Sequence, residues 1–239
     1  MTLDLKWSEA KLAALPTAGN FRLRGTQMNR LETFTDAAFA FSVTLIVISV
    51  NDLPQSYEEF VEALKFIPAF LVCFVQLMLF WWAHHVWSRR FGLEDGWSIV
   101  LSLALVATVL IYIFPLRLVF SAFFASATGG FLPMPFYLNL TQLGQLFVVF
   151  GSGFGLMSFI IVALNIVAIS HRHALMLSPT EVHDTRWDVF TWSVIGTVGF
   201  ASMITAIVTD YSPIAGYVYW SLAVISPGLN YLRKRLAPI

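Results

Sequence analysis

The chain has 239 residues, of which 58% are hydrophobic and only 12% charged, with 14 basic side chains balancing 14 acidic ones. Soluble domains carry about 25% charged residues, so this composition and a mean hydropathy of +0.74 exclude an ordinary soluble fold and indicate an all-α, polytopic membrane protein. A net charge of zero argues against a nucleic-acid partner, and one cysteine, Cys73, excludes an intramolecular disulfide and a cysteine-built metal site.

Residues 1–29 are mixed and polar, with Lys6, Lys11, Arg22 and Arg24, and read as a cytoplasmic N-terminal arm without a cleavable signal peptide. Asp4 to Leu15 fits a short amphipathic helix on the membrane surface before Pro16. A helix crossing the hydrocarbon layer needs about 20 apolar residues, and six stretches qualify, at residues 33–51, 59–88, 97–122, 137–169, 189–209 and 213–232. The expected organisation is the arm, a six-helix transmembrane domain over 30–235, and a cytoplasmic tail over 236–239.

The first span opens with Arg30-Leu-Glu-Thr-Phe34-Thr35-Asp36. Charged groups cost about 2.5–3.5 kcal/mol each near a membrane helix centre, so they find partners or line a polar path. At 100° per residue, Arg30, Phe34, Ala37, Phe41, Leu45 and Ile48 share a stripe about 80° wide with Thr44 at its edge, while Asp36 lies about 120–140° away. The apolar face can pack on helices or lipid, or line a path. Asp36 can serve the helix N-terminus, with Thr35 as cap, or join a buried polar network.

The second span contains Pro68 and carries His84 and His85 near its end, at the depth of Arg30 and Asp36. A hydrogen-bonded Arg30–Asp36–His84 network would tie the first helix to the second and fix its rotation. The third span contains Pro115 and ends near Arg117, which reads as a snorkelling cation paired with Glu58 or Glu59. Gly129-Gly130, Pro133 and Pro135 mark the following loop. In the fourth span Asn139, Gln142, Gln145 and Asn165 form a polar stripe suited to inter-helix hydrogen bonds, and Gly151, Gly153 and Gly155 allow close helix approach. The last span contains Pro227 and leads into Arg233-Lys234-Arg235.

Cations cluster in the arm, at Arg89 and Arg90, at Arg172 and Arg186, and in the tail, while the alternate loops carry Asp52, Glu58, Glu59 and Asp210. The positive-inside rule then puts both termini in the cytoplasm. The five histidines (His84, His85, His171, His173 and His183) are too few for membrane di-iron boxes, and three fall in a loop, so no metal or other cofactor is expected.

Arg30-x-x-x-Phe34-Thr35-Asp36 resembles the R-x-x-x-F-S-D signature that opens the first helix of the transmembrane protein 175 family, potassium channels of lysosomes and many bacteria. Ala37 to Leu45 follows the family pattern of small and aliphatic residues leading to a threonine, and Trp81-x-x-His84-His85 resembles its tryptophan–histidine cluster. Asp95 before the third helix fits as well. Two positions depart: Thr35 replaces the serine, and Ser102 stands where an asparagine is usual. The resemblance implies a bacterial-type, six-helix subunit of a homotetramer, with four copies of the first helix around an axis and potassium as the permeating ion.

In that arrangement Phe41, Leu45 and Ile48 form the constriction, Thr44 offers hydroxyls to the ion, and Arg30, Phe34, Thr35, Asp36, Trp81 and His84 anchor the helix. The expected function is a passive potassium-preferring channel rather than an enzyme, with the lipid bilayer, potassium ions and further copies of itself as partners. The alternative is a proton-coupled secondary transporter using Asp36 and His84, although the internal repeats common in transporters are not apparent.

Overall fold

A computed structural model of the chain describes residues 7–48, 54–209 and 213–235. In chain order it contains α1 (Glu9–Ala13), a hairpin of β1 (Thr17–Ala18) and β2 (Phe21–Arg22), α2 (Arg30–Ile48), α3 (Tyr57–Leu64) and α4 (Ile67–Phe91). Then follow α5 (Gly96–Ala127), α6 (Leu140–Ser170), α7 (Pro179–Val208), α8 (Pro213–Tyr217), a 3-10 turn over Val218–Trp220, and α9 (Ser221–Arg235). Among the described residues four helices are long and apolar enough to cross a membrane: α4, α5, α6 and α7.

Several boundaries differ from the sequence expectation. The second span is two helices, α3 and α4, separated at Lys65 and Phe66, and Pro68 sits in the first turn of α4 rather than inside a span. Proline lacks an N–H that the first turn leaves unpaired anyway, so it starts a helix more readily than it interrupts one. α7 begins about ten residues before the expected span, under Pro179 and a Ser178–Glu181 capping box. The last span is broken by the 3-10 turn into α8 and α9. The surface helix near the N-terminus shortens to α1, capped by Ser8; Asp4 and the 236–239 tail lie outside the described residues.

Of the polar residues expected between helices, two close their own helix end and one bonds within its own helix. Asn139 and Gln142 form the capping box of α6, and Asn165 donates to Ile161 O one turn back at 2.9 Å. Asp95 caps α5, accepting from the Trp97 backbone at 3.1 Å. The Asn139 and Asp95 caps satisfy amides that a helix start leaves orphaned. Arg117 is buried rather than snorkelling, its guanidinium 5.8 Å from the Phe66 ring centroid.

The scaffold is the α6–α7 pair, the most extensive helix contact in the chain. Gly151 and Gly199 meet backbone to backbone: a Cβ on Gly151 would lie 2.6 Å from Gly199 O, and one on Gly199 2.9 Å from Gly155 N. α5 lies against α6, with Tyr112 and Phe150 rings 5.3 Å apart. α4 joins through Phe80 edge-on to Phe154 at 5.6 Å and through Trp87 Nε1, which donates to Leu164 O at 2.8 Å. α2 packs on α4 and α5, at the margin of this assembly.

Gly151→Ala is expected to lower the melting temperature of the detergent-solubilised protein, at an overpacking cost of about 1–3 kcal/mol. Gly96→Ala, whose added Cβ meets nothing within 4 Å, should leave it unchanged. Equal effects would contradict the close α6–α7 approach.

Candidate functional site

α2 has two unlike faces. Glu32, Thr35, Phe39, Ser42 and Ile46 are buried, at the three- and four-residue spacing of a helix stripe. On the other side Arg30, Thr33, Phe34, Ala37, Ala40, Phe41, Thr44 and Val47 are exposed, with Phe41 at 56% the largest open apolar group in the middle of the helix. A single chain therefore leaves one whole face of α2 uncovered.

The helix begins at a cap in which Asn29 Oδ1 accepts from the Glu32 backbone at 2.6 Å. Its rotation is set by paired rungs to α4. Asp36 Oδ1 accepts the Trp81 indole N–H at 2.8 Å, and one turn away Glu32 Oε1 lies 3.5 Å from His85 Nδ1. The second contact is too long for a hydrogen bond and is an ion pair only when the imidazole is protonated. Trp81 and His85 stack at 5.2 Å with 19° between their planes. The i,i+4 spacing of Glu32 and Asp36 meets the i,i+4 spacing of Trp81 and His85 on an antiparallel helix, so both rungs close in one register.

The Arg30–Asp36–His84 network expected from the sequence does not form. Arg30 stands on the exposed face, Asp36 goes to Trp81, and His84 Nε2 shares a 2.9 Å hydrogen bond with Ser102 Oγ. His84 and Ser102 are both buried, so Ser102 supplies an inter-helix bond at the position where the asparagine was expected. His84 thus ties α4 to α5, and His85 rather than His84 faces α2. Thr35 is fully buried and its hydroxyl bonds no other group among the described residues.

The exposed face is also turned slightly from the expected stripe. Phe34, Ala37 and Phe41 lie on it, but Leu45 is half-buried and packs on the core, and Thr44 takes the open position. The side chain of Ile48 lies outside the described residues. Thr44 Oγ1 donates to Phe41 O at 2.6 Å; with its proton committed there, the oxygen presents lone pairs outward and can only accept or coordinate.

Sequence reasoning missed a second constellation, at the end of the molecule where α4 finishes. The arm lies across that end: Arg24 N donates to Arg90 O at 3.3 Å and Gly25 N to Arg89 O at 3.0 Å. Arg24 forms a buried bidentate pair with Glu181, at 2.8 and 3.0 Å. Asp188 receives Arg90 at 2.6 Å and Arg233 at 2.9 Å, and Asp184 receives Arg233 at 3.2 Å. Glu181, Asp184 and Asp188 follow helix spacing, a signal readable once α7 is started at its Ser178–Glu181 box.

Three comparisons with known proteins bear on this arrangement. Residues 30–115, from the start of α2 to the middle of α5, match the model of the family described as endosomal/lysosomal potassium channel TMEM175. A Marivirga tractuosa protein named potassium channel is 25% identical over 214 residues, spanning 84% of this chain and 85% of the relative. The crystal structure of a threonine-to-alanine variant of the potassium channel MtTMEM175, in complex with a nanobody–MBP fusion, superposes with a TM-score of 0.80. That match has 22% identity and covers 92% of this chain and 100% of the other.

Trp81→Phe removes the donor to Asp36 and is expected to destabilise the solubilised protein by about 1.5–3 kcal/mol, the range for hydrogen bonds to charged groups. Trp82→Phe, at a ring that is 59% exposed, should have little effect on the same thermal melt. A Trp81→Phe protein as stable as the parent would contradict the anchoring rung.

Proposed function

We propose, from the likeness of residues 30–115 to the TMEM175 family model, that this chain is a passive, potassium-preferring cation channel. Four copies would surround an axis lined by the open face of α2, as closed homo-oligomers commonly do. The carrying observation is that face itself: it is uncovered in one chain while the opposite face is capped, buried and fixed to α4. The end bearing Arg24, Arg89, Arg90 and Arg233 faces the cytoplasm on the positive-inside rule, so α2 starts at the inner mouth.

Along this path an ion from the cytoplasm meets Arg30, Phe34 and Ala37, then the Phe41 rings, then the Thr44 hydroxyls. No loop of backbone carbonyls is required, and selectivity rests on side chains at the constriction. Four Phe41 rings narrow the path and dewet it, the action of a hydrophobic gate. The ring faces also attract a partly dehydrated cation by about 0.5–2 kcal/mol per contact, but a ring that plugs the axis excludes the ion first. Thr44 oxygens, unable to donate outward, suit a cation arriving without its full hydration shell. Leu45 adds bulk behind this line rather than on it.

The proton-coupled transporter reading needs Asp36 and His84 to exchange a proton. Their hydrogen bonds run to different partners, Trp81 and Ser102, which favours an anchoring role for each.

In liposomes loaded with potassium, flux should follow the potassium gradient and voltage alone; obligatory exchange with protons would overturn the channel reading. Phe41→Ala should raise that flux about tenfold, equivalent to about 1.4 kcal/mol off the barrier. Unchanged or lower flux would contradict the aromatic plug. Native mass spectrometry should give a tetramer, and a stable monomer would remove the proposed axis.

A further inference from the structure

Arg24 is among the most completely bonded side chains of the molecule. Its Nε donates to Leu175 O at 2.9 Å; one terminal nitrogen donates to Glu181 Oε1 at 2.8 Å and Arg22 O at 3.1 Å; the other donates to Glu181 Oε2 at 3.0 Å and Met176 O at 3.4 Å. All five guanidinium N–H groups thus have acceptors. The Glu181 carboxylate also receives the Arg22 backbone at 2.9 Å and the Ser178 backbone at 2.8 Å. Burying both charges costs several kcal/mol per ion, which the pair and its extra bonds offset. Such pairs are weak evidence for stability, and their best-attested use is to hold one arrangement.

What this pair holds is the lead-in to α2. Five residues separate Arg24 from Arg30, and most of them are fastened. Gly25 N bonds Arg89 O, the Arg89 side chain reaches Thr26 O at 3.3 Å, and Asn29 caps the helix. Gly25 lies so close to α4 that an added Cβ would sit 2.4 Å from Ser88 O. Gly92, at φ +57, turns the end of α4 under the same strand, with its own Cβ direction 3.0 Å from Gly25 N. α2 packs on α4 and α5, whereas Glu181 belongs to the α6–α7 scaffold, so the arm links the helix to that scaffold.

We infer that Arg24 and Glu181 are positioning residues for conduction: their buried clasp ties the inner end of α2 to the α6–α7 scaffold and sets how often the inner mouth is open. The inference rests on the reading of α2 as the wall of the ion path. The clasp touches no permeating ion and acts only through the 25–29 segment. Breaking it frees the first turn of α2 to tilt, while the constriction at Phe41 and Thr44 keeps its composition. It therefore governs open probability and leaves unitary conductance alone.

The test uses the full-length protein in planar bilayers, with assembly checked by size-exclusion chromatography. Arg24→Gln, Glu181→Gln and the double variant should each change open probability about fivefold or more, at wild-type unitary conductance. The double variant should be no worse than either single, because both remove one device. Open probability within about twofold of wild type in variants that assemble normally, or additive effects, would overturn the inference. If these variants fail to assemble, two glycines inserted between Thr26 and Gln27 leave the clasp intact and slacken only the link; wild-type gating in that variant overturns the inference, and altered gating supports it. An Ala37→Cys channel treated with a membrane-impermeant thiol reagent separates the premise from the inference. Current loss there with unaltered gating in the clasp variants sinks the clasp alone, while an unaffected Ala37→Cys current sinks the pore wall and the clasp with it.

Discussion

A carboxylate in a membrane helix needs a partner, and Asp36 has the Trp81 indole N–H at 2.8 Å. Inserting such a group costs about 2.5–3.5 kcal/mol near a helix centre, and a hydrogen bond to a charged acceptor returns about 1.5–3 kcal/mol. The two are of similar size, so Asp36 is tolerated only where Trp81 meets it. One residue of slip would turn α2 by 100° and break the Glu32–His85 rung together with the Trp81 bond. The polar rungs therefore fix which face of α2 is buried, and Phe34, Ala37, Phe41 and Thr44 are exposed as a consequence.

The rungs in turn need a rigid α4. It is held by Trp87 against α6, by the His84–Ser102 bond to α5, and by Gln76 Nε2 donating to the Tyr112 hydroxyl at 2.7 Å. Behind these stands the α6–α7 pair, whose glycines let two backbones touch. The same scaffold reaches α2 a second time through the arm, with Arg24 on Glu181. Two independent attachments, one along the helix side and one at its start, leave the exposed face as the part of α2 that the single chain does not engage.

Much of this was legible in the sequence where a residue has one use in a membrane. The long apolar third and fourth spans, the glycine turn at Gly129 and Gly130, and the motif from Arg30 to Asp36 were read in the right places. Errors arose where one residue type serves two physical ends. Pro68 looked like a mid-span kink because hydropathy runs on across Lys65 and Phe66, yet proline also starts helices. Asn139 and Gln142 looked like inter-helix glue and are a cap. α7 starts earlier than expected because Arg186 reads as a loop cation, although Ser178-Pro179-x-Glu181 announces a helix start. Thr44 and Leu45 differ by 100° on a helix wheel, and only the contacts of Leu45 with the core decide between them. The choice between His84 and His85 likewise needed the antiparallel register, which no single helix contains.

The central claim is that ions pass along the open face of α2 and not beside its buried one. The most direct measurement compares Thr44→Cys with Ser42→Cys, two residues apart on opposite faces, by single-channel potassium current during exposure to a membrane-impermeant thiol reagent. The native Cys73 is buried and provides a quiet background. The account predicts that current through Thr44→Cys falls while Ser42→Cys is untouched. Loss of current at Ser42→Cys with Thr44→Cys unaffected, or equal loss at both, would contradict it.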